Sequence, residues 1–134
     1  MRHDLQQFST KTVCLAHTGR DAVLLKAIDY TDADGVRVKA PTGMPTNGGS
    51  IPRAFWDTIG PPYASKFLPA YMIHDKLCGD ANHLASADAV FGRKLRKEAD
   101  KLFYEMIRFL GCNRVKAWLM YGGVRLGATT MPRR

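Results

Sequence analysis

The stretch Pro69-Ala-Tyr-Met-Ile-His-Asp-Lys-Leu-Cys-Gly79 decides how the rest of the chain is read. Proline is well tolerated in the first turn of a helix and glycine is a common stop, so a helix starts near Pro69 and is expected to end at Gly79. Residues three and four apart share a helix face. Tyr71, His74, Asp75 and Cys78 therefore gather on one side, and Ala70, Ile73 and Leu77 on another. The polar side is a candidate reaction surface. A histidine beside an aspartate pairs a base that titrates near neutral pH with a carboxylate able to hold a hard cation.

Downstream, helical periodicity resumes. Ser86 is a good N-cap, the helix it opens is expected to run to about Leu110, and Gly111 ends it. On this helix Phe91, Leu95, Ala99, Leu102, Met106 and Leu110 form an apolar stripe with Asp88 on its centre line. A carboxylate that points at a core needs a partner. A short connection over 79–85 makes the two helices antiparallel, which sets Asp88 beside His74 as the acid that orients it. Asp100, about 18 Å further along the helix and off the stripe, ranks second. The plainer role for Asp88 is to stabilise the helix N-terminus, close behind its capping serine. Asn113 can cap a further helix from Arg114 to about Leu126.

Upstream the pattern changes. Residues 13–16 and 22–28 are strand-like, and Asp32-Ala-Asp-Gly35 is a turn before the alternating Val36-Arg-Val-Lys39. Three prolines and three glycines within 41–52 (Pro41, Gly43, Pro45, Gly48, Gly49, Pro52) mark a shaped loop. There Asn47, Gly48 and Gly49 can bring backbone and amide oxygens close to a ligand, or the segment is an ordinary loop with Ser50 capping a helix over 53–59. Phe55, Trp56, Tyr63 and Phe67 read as core or pocket wall rather than as a stacking platform for bases. Cys78 reads as a small buried residue more readily than as a nucleophile.

With 134 residues the chain is expected to be one domain, α+β in class. A small N-terminal antiparallel sheet (1–40) and the loop (41–52) precede a bundle of three to four helices (53–127), with a basic tail at 128–134. Three separated cysteines, Cys14, Cys78 and Cys112, fit reduced thiols better than disulfides or a zinc knuckle. No apolar run approaches the roughly 20 residues of a membrane span, and Met1-Arg-His-Asp lacks the character of a secretory signal. The net charge of +8 favours an anionic partner such as nucleic acid, anionic lipid or cell-wall polymer. The plainer account places Arg93, Lys94, Arg96, Lys97 and Lys101 on solvated helix faces.

The order of these motifs resembles a family of small phage and prophage proteins of unknown function. Its signature is close to Thr-Asp-Gly-Ala-Ser-Ile-Pro-Arg, then His-Asp-x-x-Tyr/Cys, then Ala-Asp-x-x-Phe. The match covers about 36–127, including Ser50-Ile-Pro-Arg53, Phe55-Trp56, His74-Asp75, Cys78, Ala117-Trp-Leu-Met-Tyr121 and Val124-Arg-Leu-Gly127. Asn47 stands where that family has aspartate. Both Ala87-Asp88 and Ala99-Asp100 can serve as its Ala-Asp element. The resemblance implies a phage product present in host cytoplasm and carried in the virion, with a host envelope component or a phage structural protein as partner.

The same order is similar, locally, to the parvoviral and secreted phospholipases. That likeness implies a hydrolase with His74 as base, Asp88 or Asp100 as the orienting acid, and calcium as the divalent cofactor. Calcium would be held by Asp75 with Asn47, Gly48 and Gly49, and Ser50, Arg53, Trp56, Tyr71 and Cys78 would line the pocket. The rival expectation is a non-enzymatic virion, assembly or host-factor-binding protein in which the same residues form a structural polar network.

Overall fold

The computed structural model describes residues 5–10, 13–18, 21–46 and 67–130 of the chain. It has an α+β arrangement: antiparallel strands first, then three helices. The strands are β1 (Gln7–Phe8), β2 (Leu15–Thr18), β3 (Asp21–Leu24), β4 (Ile28–Thr31), β5 (Arg37–Ala40) and β6 (Pro45–Thr46). They form two three-stranded sheets, ordered β1-β4-β5 and β2-β3-β6, where one small sheet was expected. The apolar run 22–28 is divided by a bend at Leu25-Lys26, so its two halves enter different sheets.

The turn between β4 and β5 is built by its own side chain. Asp32 Oδ1 accepts the backbone N–H groups of Asp34 and Val36, each at 2.9 Å. Gly35 takes φ +85°, a conformation open to glycine at little cost. The hairpin puts Ile28 opposite Ala40 and Tyr30 opposite Val38. Ile28, Tyr30 and Ala40 are buried, and the Tyr30 ring meets Phe8 at 4.6 Å between centroids. Pro45–Thr46 pairs with β3, so the proline-rich loop carries a short strand at its start; its expected helix over 53–59 lies outside the described residues.

Helix α1 (Leu68–Ala85) starts where expected, with proline in its first turn, but continues past Gly79 to Ala85. Gly79 is exposed, and the Lys76–Asp80 ion pair at 2.6 Å spans it on the solvent side, so glycine there weakens the helix without ending it. Every residue from Leu68 to His74 is buried. The first half of α1 is a central helix covered on all sides, which is why it has no exposed polar face of Tyr71, His74, Asp75 and Cys78.

The chain turns in three residues and enters α2 (Ala89–Phe109). Its N-cap is Asp88 rather than Ser86: Asp88 Oδ1 accepts the N–H of Phe91 at 3.0 Å, while Ser86 donates to the carbonyl of His83 and closes α1. Gly92 lets the helices cross closely, since a Cβ there would lie 2.4 Å from the Ala85 Cβ. Gly111 (φ +98°) ends α2, and Asn113 caps α3 (Arg114–Thr130) by accepting the N–H of Lys116 at 2.8 Å.

The buried face of α2 is Gly92, Arg96, Ala99, Asp100, Phe103, Met106 and Ile107. The expected stripe shares Ala99 and Met106 with it, but Phe91 is exposed and Leu95, Leu102 and Leu110 are only partly covered. The helix is rotated because two charged residues can be buried when they neutralise each other, which a hydropathy pattern does not register.

Candidate functional site

Three side chains, one from each helix, meet on one carboxylate. Asp100, midway along α2, is fully buried. Its Oδ1 lies 2.6 Å from His74 Nε2 on α1 and accepts Arg96 Nε at 3.1 Å, while its Oδ2 accepts Arg125 Nη1 from α3 at 2.6 Å. The guanidinium of Arg96 also donates from Nη2 to the carbonyl of Val124 at 3.1 Å. One acidic residue therefore ties α1, α2 and α3 together.

The surroundings of His74 are apolar and aromatic. Its ring packs on Phe103 at 4.9 Å between centroids, and Phe103 in turn packs on Tyr71 at 5.2 Å. Cys78, one helical turn after His74, sets its Sγ 3.3 Å from Nε2 and 3.7 Å from Nδ1. A sulfur so nearly equidistant from both nitrogens lies beside the ring, not in line with either lone pair. Tyr71 is buried, and its hydroxyl is the one buried side-chain polar atom without a hydrogen-bond partner among the described residues.

Electrostatics follow from this packing. Burial alone would push the His74 imidazole down, but the adjacent Cys78 and Asp100 outweigh it and push it up to about 9. Burial would likewise raise Asp100; His74, Arg96 and Arg125 together hold its carboxyl below the usual carboxylate range. The buried pair is thus an ionised, doubly clamped carboxylate with a readily protonated imidazole. Tyr71 is shifted well above an ordinary phenol by its burial.

The sequence-derived site residues divide three ways. His74, Asp100, Cys78 and Tyr71 come together. Asp75 follows His74 on α1 and is partly buried. Asp88, ranked first as the partner of His74, is instead exposed at the N-terminus of α2, where an N–H group occupies it. The connection between the helices is shorter than 79–85, so the antiparallel pairing moves along α2 and brings Asp100 level with His74. Asn47, Gly48, Gly49, Ser50, Arg53 and Trp56 lie outside the described residues.

Two participants were missed. Arg96 was grouped with the solvated cations and Arg125 was given no role, yet both contact the buried carboxylate. The available signal was the spacing Arg96-x-x-x-Asp100, an i,i+4 ion pair.

His74, Cys78 and Asp100 also offer donor atoms within 4.8 Å of one another. Nitrogen and sulfur donors suit a zinc-like ion, whereas calcium prefers six to eight oxygens. Neither fits well here. Both oxygens of Asp100 already accept N–H groups, and a dication would sit against the guanidinium groups of Arg96 and Arg125. With one carboxylate shared between two arginines, the local charge is already positive.

The chain matches the family of proteins of unknown function designated DUF1353 over residues 22–124. It belongs to that family. It is also similar to the uncharacterized protein y4jT of Sinorhizobium fredii (strain NBRC 101917 / NGR234), with 32% identity over 95 residues. That alignment covers 71% of this chain but 25% of the relative, so the chain spans about a quarter of that protein's length. No solved structure matches. The family match runs from within β3 into α3 and includes His74, Cys78, Arg96 and Asp100, while Arg125 falls one residue beyond it.

Proposed function

We propose that this DUF1353 member is a hydrolase of phage origin that cleaves an ester or amide of the host envelope, phospholipid or cell wall, with His74 as general base and Asp100 as its positioning residue. The observation that carries the reading is the 2.6 Å contact of His74 Nε2 with Asp100 Oδ1. When Nε2 gives its hydrogen to a fixed carboxylate, the tautomer is set and the lone pair of Nδ1 becomes the basic atom. Arg96 and Arg125 hold Asp100 in place, so the pair needs no reorganisation when a proton moves.

In the proposed step Nδ1 takes a proton from water. The water oxygen bonds to the acyl carbon, and the proton passes on to the leaving oxygen or nitrogen as its bond to carbon breaks. The imidazole is buried, so substrate reaches it only when the side chains over His74 part. Because its proton is held up to about 9, turnover should rise with pH towards that value, as the neutral base becomes populated. Asp75 with Asn47, Gly48 and Gly49 is the proposed calcium site; when bound, calcium would polarise the scissile carbonyl.

The test is a comparison of wild type with His74→Gln and Asp100→Asn on short acyl esters, phosphatidylglycerol vesicles and peptidoglycan. His74→Gln should lower turnover by about a hundredfold or more while the protein stays folded. A folded His74→Gln protein with undiminished turnover would sink the proposal.

The second reading is a non-enzymatic virion, assembly or host-factor-binding protein in which the cluster serves only to lock the helices. It draws support from the complete burial of His74 and Asp100 and from the engagement of both Asp100 oxygens. It predicts no turnover on any of the three substrate classes, with marked destabilisation when Asp100 is removed.

A further inference from the structure

A second feature lies on the outside of α3. Val115, Trp118 and Leu119 are 74%, 57% and 50% exposed on successive turns. Trp118 is not isolated: its ring stands 5.1 Å from Tyr104 of α2 and 5.7 Å from Tyr121, and the two tyrosines are 6.1 Å apart. The result is a surface cluster of three amphipathic rings with aliphatic side chains beside it.

The sequence that includes α3 is basic. Glu105 is the last acidic residue in the chain, and the cations Arg108, Arg114, Lys116, Arg125, Arg133 and Arg134 follow it. Those six account for most of the net +8. Arg125 is held on Asp100 and Lys116 lies over the Phe67 ring, while Arg108 and Arg114, both exposed, stand one helical turn after Tyr104 and one before Trp118.

We infer that this α2–α3 face docks on an anionic lipid bilayer. Tryptophan and tyrosine favour the headgroup level because their rings have an apolar body and a polar tip, and exposed aliphatic groups gain by entering the acyl boundary. The exposed Arg108 and Arg114 are drawn to anionic headgroups. A nucleic acid would use the rings and cations but would leave Val115 and Leu119 in water. A second copy of the same face would bring like charges together. The inference rests on this surface alone and holds with or without the hydrolytic reading.

The experiment is co-sedimentation of the full chain with vesicles made of equal parts phosphatidylglycerol and phosphatidylcholine, and with phosphatidylcholine alone. Binding should be about tenfold or more stronger on the anionic vesicles and should weaken with added salt. The double variant Trp118→Ser/Leu119→Ser, confirmed as folded by thermal melting, should bind about tenfold less or weaker still. The His74→Gln protein should bind as wild type does, and binding by the wild-type protein with no turnover of any of the three substrate classes would leave the surface standing while removing the hydrolase. Equal binding by the double variant, preference for a nucleic-acid duplex over the vesicles, or self-association lost in the double variant would each overturn the inference.

Discussion

Two positions on one helical stretch carry the same dipeptide in opposite circumstances. Ala87-Asp88 opens α2 and Ala99-Asp100 sits midway along it. Asp88 is exposed, accepts a single N–H group from Phe91 and faces water on its other side. Asp100 has no contact with water, and its carboxylate is engaged by His74, Arg96 and Arg125. At a helix N-terminus a carboxylate needs only the unsatisfied N–H groups already there. In the interior it needs cations, and here one comes from its own helix, Arg96, and two from other helices, His74 and Arg125. The first aspartate is a local device and the second a tertiary one.

Replacing each in turn should make that difference measurable. Asp100→Ala should lower stability by about 3–5 kcal/mol in urea unfolding, because Arg96 and His74 would be left buried without their counter-ion. If it lost no more than the Asp88 variant does, the contrast between the two positions would fail.

A smaller effect is expected from pH, since Arg96 and Arg125 stay on Asp100 when His74 loses its proton. The folded chain holds the His74 proton up to about 9, and an unfolded histidine releases it near about 6.5. The stabilisation is therefore fully present below about 6.5 and lost as pH rises through about 9. On the acid side Asp100 contributes above the ordinary carboxylate value, and that contribution is lost as pH falls through its lowered one. Thermal melts across this range in wild type and His74→Gln would check the alkaline limb, which the variant should lack.

Gly92→Ala probes the spacing between the helices. Its methyl group would fall within 3 Å of both side chain and backbone of Ala85, so the helices must shift and a loss of about 1–3 kcal/mol is expected. Urea unfolding of the variant measures it. The mildest change is at the other end: Asp88→Ala should cost about 1 kcal/mol, and Asp88→Ser much less, because serine can still cap. A larger loss for Asp88→Ser than for Asp88→Ala would show that Asp88 does more than cap the helix.

Much of this architecture is local and was readable as such. Pro69 at a helix start, Asp32-Ala-Asp-Gly35 as a turn, Gly111 as a stop and Asn113 as a cap each act on backbone groups a few residues away. The grouping of Tyr71, His74 and Cys78 on one helix face was also visible, because it follows from their close spacing. The misreadings came where the decisive contact is distant in sequence. Gly79 looked like a stop because the packing that carries α1 beyond it is tertiary. Ser86 looked like a cap because the competing carboxylate, Asp88, was assigned to the core.

By itself, then, the sequence determined the class of the fold, the principal turns and caps, and the helix on which His74 sits, since these depend on backbone conformation and near-neighbour hydrogen bonds. Only the tertiary structure decided that Asp100 and not Asp88 holds His74, and that Arg96 and Arg125 join them. The reason is energetic: a charged residue reads as exposed until its counter-charges are known, and here they arrive from three different helices.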